Sequence, residues 1–474
     1  MKKIFAIAIA LLIASSAFAQ EDEKKGPDFN YGARVWVYGV TGQQKDLAYD
    51  YSVFRIRPML SLEMEDIKIV THLEISQNFG RGYASNNTNY APQATDQFAV
   101  KVKGAYIEAK NVIIQNLSLM GGLNGYKYPL VIDNDFGLFQ TSYDFGMGKA
   151  NLSYIKLHEY SLYEKTGTDV KQNVDAQAYA LDVPIKINKD ITVRPGLVYI
   201  QGGKKLQDNT ITTIEPSNEL LYGTSLVNAA LNVTGKVNAI SFTATGAYLK
   251  GTLNKEELDP SGNPGVFDKI KTSAYAFDLG VDFKANDMFK IGVFGTYLSG
   301  NDGKDAKKNN NYFKNMENIF GRPDRADGSG IGRLFILEAA TITQVGGDYE
   351  KFFAMEHEQG YMSYGISAEA KIDKVTLFAQ FGMAQTTKKT VAYTSFSPTA
   401  HPFNTVGTPI VVPAGKKNIG SEIDAKISYA LASKTALFAE FAYVLSGDVM
   451  LNNFQYYQAK ENMYQIAGGI TSQI

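Results

Sequence analysis

One feature limits this chain more than any other: a two-residue alternation of apolar and polar side chains that begins near Tyr31 and hardly stops before the end. It is clearest over residues 419–448. Ile419, Ile423, Ala425, Ile427, Tyr429 and Leu431 fall on one face, and Glu422, Asp424, Lys426 and Ser428 on the other. After Ala432-Ser433-Lys434 the pattern restarts, with Leu437, Ala439, Phe441, Tyr443 and Leu445 against Phe438, Glu440 and Ala442. Successive strand side chains point to opposite faces, so this is a hairpin with one greasy and one largely polar face. A soluble sheet buries the greasy face in a core. A membrane barrel turns it to lipid and keeps the charges in a wet interior.

The connections decide between the two. Tight turns lie at 65–67, 111–114, 146–148, 188–190, 234–236, 285–288, 372–374 and 432–434. Long connections lie at 41–50, 80–97, 126–135, 160–174, 202–222, 251–271, 301–359, 387–418 and 448–460. Short and long alternate throughout. The segments between them are about 10–14 residues, the length of tilted membrane-crossing strands rather than of ordinary sheets. This rhythm predicts an all-β fold: a transmembrane, antiparallel, up-and-down barrel of about 18 strands (16–20), with short periplasmic turns and long extracellular loops. Hydrocarbon offers the backbone no hydrogen-bond partner, so such a sheet must close on itself. The last alternating segment, 461–474, is placed to pair with the first. Barrels commonly end on an aromatic residue; this chain ends on Ile474.

The N-terminus reads as an export signal. Lys2-Lys3 form a positive n-region, Ile4 to Ile13 an apolar run too short to span a bilayer, and Ala17-Phe18-Ala19 a cleavage site. The expected organisation is a cleaved signal over 1–19, a short periplasmic leader over 20–30, and the barrel over 31–474. The implied location is the outer membrane of a Gram-negative-type bacterium. Loss of Lys2 and Lys3 takes the 47 basic residues to 45 against 48 acidic, a balance of about −3 that favours neither a nucleic-acid partner nor an anionic membrane surface. With no cysteine the chain has neither disulfides nor thiolate metal sites. The 29 tyrosines suit a barrel girdled by aromatics at the lipid interface.

Parity then assigns the lumen. Arg34, Arg55, Arg57 and Lys68 form a basic wall on the first strands; Glu369, Glu422, Asp424 and Glu440 form an acidic wall on late strands that closure brings near. Facing sectors of opposite sign set a transverse field that favours polar or zwitterionic solutes. The plainer alternative is that these charges pair with each other. The longest connection, 301–359, carries an apolar stretch, Leu334-Phe335-Ile336-Leu337, and is the candidate for narrowing the pore. It could instead form an extracellular hairpin or an extra strand pair. No catalytic, metal or cofactor site is expected. His72, His158, His357 and His401 are not placed for a serine–histidine pair, and Asp133-Asn134-Asp135 and Asn301 to Asp305 lack a complete calcium loop.

Gly420-Ser421-Glu422-Ile423-Asp424, followed by Tyr443-Val444-Leu445-Ser446-Gly447-Asp448, resembles the closing hairpin of the alginate-export-type outer-membrane porins. Phe54-Arg55-Ile56-Arg57 and Ala105-Tyr106-Ile107-Glu108 resemble early-strand phrases of Gram-negative porins more widely. The resemblance implies an 18-stranded, monomeric, loop-gated channel and, in the founding members, export of an acidic polysaccharide through a strongly basic lumen. The mixed lumen of this chain departs from that last feature.

The expected function is therefore an outer-membrane channel for passive diffusion of small hydrophilic or charged solutes. The alternatives are a dedicated exporter of an anionic polysaccharide and a non-conducting structural or adhesive surface barrel. Expected partners are outer-membrane lipid and lipopolysaccharide, small solutes or oligosaccharides, and the barrel-assembly machinery. The expected state is a monomer, with a trimer as the alternative.

Overall fold

The structure is a computed structural model. It describes residues 27–44, 47–81, 99–158, 176–202, 224–256, 267–301, 309–310, 333–335, 359–389, 393–395, 410–412, 414–449 and 462–473. The expected signal peptide and Ile474 lie outside the described residues.

The alternating segments form strands throughout: β1 Asp28–Gln44, β2 Leu47–Met64, β3 Ile67–Arg81, β4 Ala99–Ala109, β5 Leu117–Tyr128 and β6 Ile132–Asp144. Then follow β7 Lys149–His158, β8 Ala176–Asp182 (continued by Ile185–Lys186), β9 Ile191–Gln201, β10 Ser225–Val237, β11 Ile240–Glu256 and β12 Phe267–Lys284. The last third gives β13 Phe289–Leu298, β14 Tyr361–Ile372, β15 Val375–Gln385, β16 Asn418–Ala432, β17 Thr435–Ser446 and β18 Met463–Gln473. Each pairs antiparallel with its neighbours in sequence, and β1 pairs with β18 from Arg34↔Gln473 to Gln44↔Met463. Among the described residues this is a closed 18-strand barrel without helices. Closure gives every strand of the barrel a partner on both sides, as a sheet in hydrocarbon requires.

Local chemistry sets the short turns. Asn238 and Asp373 adopt φ of 53° and 51°, the left-handed region these side chains tolerate. The β10–β11 turn accordingly sits at Asn238-Ala239 rather than at 234–236. β1 starts at Asp28, three residues inside the expected leader. Pro58 lies within β2 and pairs with Ala33, while β2–β3 pairing is interrupted between Ile56↔Ile75 and Met59↔His72. The missing N–H thus falls at a gap in the ladder. An extra strand pair in 301–359 is not found among the described residues; Asn309–Asn310 only adds two parallel pairs to β12.

The apolar face is outside. Leu152, Leu181, Leu231, Leu279, Ile291, Ile366, Ile423 and Ile427 are exposed, whereas Asp182, Asn232, Asp278, Glu422 and Asp424 are buried. Ile419 is the exception on its hairpin: it is buried at the loop end of β16. Toward the loops, outward tyrosines form a band: Tyr154, Tyr179, Tyr199, Tyr248, Tyr275, Tyr297 and Tyr364. Tyr154, Tyr179 and Tyr199 share one register row. The band then drops two residues in register at β11, at β13 and again at β14. That descent is the stagger by which a tilted sheet keeps a level ring. The Tyr154 hydroxyl donates to Gln177 Oε1 at 3.2 Å and the Tyr248 hydroxyl pairs with Ser273 Oγ at 2.9 Å. Their polar tips are therefore served on the loop side while the rings remain in the apolar band.

Candidate functional site: the barrel lumen

Inward charges pair across neighbouring strands. Arg57 lies 2.6 Å from Glu74, with Arg55 at 3.9 Å from the same carboxylate. Arg57 also covers the Trp36 ring at 5.2 Å. Arg194 makes two 2.7 Å bonds to Asp182. Lys426 meets Glu440 at 2.6 Å, and Lys290 meets Glu369 at 3.3 Å. At the short-turn mouth Lys68 stands 4.0 Å from Glu63, which binds Lys110 at 2.6 Å. That hydrogen bond to Glu63 holds the Lys110 ammonium above the ordinary lysine range.

The two predicted walls are thus placed as follows. Arg34 is inward and exposed near the short-turn end; Arg55 and Arg57 share Glu74. Closure brings the sectors together at Tyr38, which lies within electrostatic range of Arg55, Arg57, Glu74 and Glu440. Glu369 and Glu440 have lysine partners. Glu422 and Asp424 point inward but have no exposed surface. For Asp424 the reason is a docked segment. Ile336 and Leu337 lie outside the described residues.

That segment is Arg333-Leu334-Phe335, from within connection 301–359. Arg333 Nη2 donates to Asp278 Oδ2 at 2.7 Å and its guanidinium lies over Phe294. The Gln380 side-chain amide donates both to the Arg333 carbonyl at 2.7 Å and to Asp424 Oδ2 at 2.5 Å. The Phe335 N–H donates to the same oxygen at 3.2 Å. Phe335 stacks on Phe378, ring centroids 6.1 Å apart, and the fully buried Leu334 occupies the space a side chain at Gly382 would fill. The segment therefore lies against the inner wall of β12 to β16.

A second inward element was not legible in the pattern. The expected long connection 126–135 is only three residues, 129–131, because β5 and β6 extend to meet it. Its tip bends across the lumen to β9 and β10. The Tyr128 hydroxyl donates to the carbonyls of Arg194 and, at 3.2 Å, Ala230; its ring rests on Gly196 and under the Arg194 guanidinium at 4.7 Å. Leu130, Val131 and Ile132 are fully buried near Ile155, Ala178, Ile200, Leu226 and Leu249, which make the loop-side interior of β7 to β11 apolar. Each such side chain contributes roughly 1.5–3 kcal/mol by burial. The available signal was Tyr128-Pro129-Leu130-Val131-Ile132 itself, an apolar run where an extracellular loop should be polar. Gly196→Val should lift Tyr128 off the wall, and tryptic cleavage at Lys127 checks it: protected in the native chain, cut in the variant.

No family model matches the chain, and no curated protein matches it. Solved structures do. The chain is similar to Pseudomonas aeruginosa OccK8 (OprE), with a TM-score of 0.52 at 11% identity over 94% of this chain and 98% of that one. The fold is that of an outer-membrane porin. Two other Pseudomonas aeruginosa structures, OpdQ and OpdK with vanillate, are similar at a TM-score of 0.49 and 8% identity; both align over 94% of this chain, and over 99% and 98% of their own. Within this porin fold the lumen has two inward elements: an apolar tip rooted on β9 and β10, and a polar-tethered segment on β12 to β16. Among the described residues no cluster of three or more His, Asp or Glu could hold a metal ion.

Proposed function

We propose that this chain is an outer-membrane channel that passes small hydrophilic or charged solutes down their gradient, and that Arg34, Arg55, Arg57, Lys68, Glu369 and Glu440 line its path. The observation that carries the reading is the closed barrel with an apolar exterior beneath a tyrosine band and ion pairs inside. No step makes or breaks a covalent bond; selection is by bore and by the field of the lining charges. Arg333, Leu334 and Phe335 narrow the bore: Arg333 docks on Asp278 and Gln380, and the Phe335 N–H on Asp424.

Export of an anionic polysaccharide is the second reading, resting on the resemblance of the closing hairpin to the alginate-export type. The lumen supports it less well. A polyanion needs a run of available cations, and here Arg57, Arg194, Arg333 and Lys426 are each matched by a carboxylate.

Planar-bilayer recording of Arg55→Ala/Arg57→Ala tests the channel and its lining together. Removing both guanidiniums leaves Glu74 uncompensated, so the reversal potential should move toward cation preference, by about a few-fold in permeability ratio. An unchanged reversal potential removes these arginines from the path. Absence of conductance, even with 301–359 deleted, puts the adhesive-barrel reading ahead.

A further inference from the structure

We propose that the loop-side rim of the outer face, centred on Lys250 and Lys271 with Lys156 at its edge, is a binding site for the phosphate-bearing headgroups of membrane lipids. It rests on the barrel lying in a bilayer. On β7 through β17, the outward positions whose side chains are described are apolar or uncharged with three exceptions, and all three are lysines: Lys156, Lys250 and Lys271. No described carboxylate shares that face.

Their height is set by the tyrosine band. Lys156 is two residues loopward of Tyr154 on β7, and Lys250 two residues loopward of Tyr248 on β11. Lys271 is four residues loopward of Tyr275 on β12. Aromatic bands mark the membrane–water interface, so the lysines stand at headgroup level. Lys250 pairs in register with Ser273, which makes Lys271 its diagonal neighbour on the next strand. Diagonal side chains stand roughly 7–8 Å apart and like charges there repel. A phosphate between them removes the repulsion and accepts from both ammoniums. Ser273, level with Lys250 and two residues from Lys271, adds a hydroxyl bonded to that of Tyr248. A solute in the lumen cannot reach this side of the sheet, and the membrane plane excludes a bulky soluble partner.

The test reconstitutes wild type, Lys250→Gln/Lys271→Gln and Lys250→Arg/Lys271→Arg into phosphatidylcholine vesicles with or without a minor share of phosphatidylglycerol. Lipid retained after extraction is counted by native mass spectrometry. Wild type should retain phosphatidylglycerol, the glutamine pair should lose roughly ten- to thirty-fold of that retention, and the arginine pair should keep it. Equal retention by all three overturns the proposal. Displacement of the retained lipid by inorganic phosphate alone overturns the lipid as occupant. Failure of all three to enter vesicles of phosphatidylcholine alone overturns the membrane reading and the site with it, whereas insertion with equal retention overturns the site only. Heat-modifiable gel migration keeps a folding defect apart from these outcomes.

Discussion

Gly469→Val should yield no folded barrel in refolding trials, while Gly468→Ala should refold like the native chain. A side chain at 469 meets the Val37 carbonyl oxygen and the Tyr38 Cα across the β1–β18 seam, both backbone and unable to rotate away. A side chain at 468 meets only the Phe438 carbonyl at 3.4 Å, an ordinary contact. Most overpacked sites cost about 1–3 kcal/mol because neighbours shift. Here the neighbour that shifts is the closing strand. Opening the seam strands the pairing groups of two edges from Arg34↔Gln473 to Gln44↔Met463. Each unsatisfied group costs several kcal/mol in hydrocarbon. The expected readout is loss of the heat-modifiable fast-migrating band and of the β-type circular dichroism signal. A Gly469→Val sample migrating as native would sink the argument that this seam is sterically closed.

The same seam marks the boundary of what the sequence reveals. Alternation such as Ile423-Asp424-Ala425-Lys426 depends only on the pleat, so strand number, closure and face assignment were readable from it. Which inward side chains meet is a different matter, because it depends on register. Arg57 and Glu74 are joined across a β2–β3 ladder interrupted at Pro58, and Lys426 and Glu440 by the register of their hairpin. The walls therefore appeared as opposed sectors although much of their charge is matched between adjacent strands. The lumen fillers were harder still. Tyr128 finds its carbonyl partners on strands distant in the chain, and only tertiary closure brings Gly196 beneath its ring. Asp424 looked like pore wall because its parity is inward. Nothing local indicates that residues 333–335 cover it.

The two inward elements differ in how they are held, and this predicts which of them moves. The β5–β6 tip is kept by buried Leu130, Val131 and Ile132, and apolar burial has no single latch to remove. Arg333-Leu334-Phe335 buries only Leu334 fully and depends besides on a few polar contacts with Asp278, Gln380 and Asp424. Asp424→Ala leaves the Phe335 N–H and one Gln380 donor without their acceptor, at about 1–3 kcal/mol for each buried group. Arg333→Ala leaves the fully buried Asp278 carboxylate without its guanidinium, and breaking such a pair costs about 3–5 kcal/mol. Both penalties fall on the docked state, because an undocked segment lets water reach the same groups. A swing of roughly 5 kcal/mol is enough to invert a strongly one-sided two-state equilibrium. The double variant Arg333→Ala/Asp424→Ala should therefore conduct several-fold more than wild type in single-channel recordings, with stability otherwise that of the native barrel. A complementary pair uses the absence of cysteine: Leu334→Cys with Gly382→Cys, whose side chains would face each other, should return the low conductance when joined by a short bis-maleimide. Wild-type conductance in the uncrosslinked double variant would mean that the segment is not what narrows the pore, leaving the apolar tip of β5–β6 as its constriction.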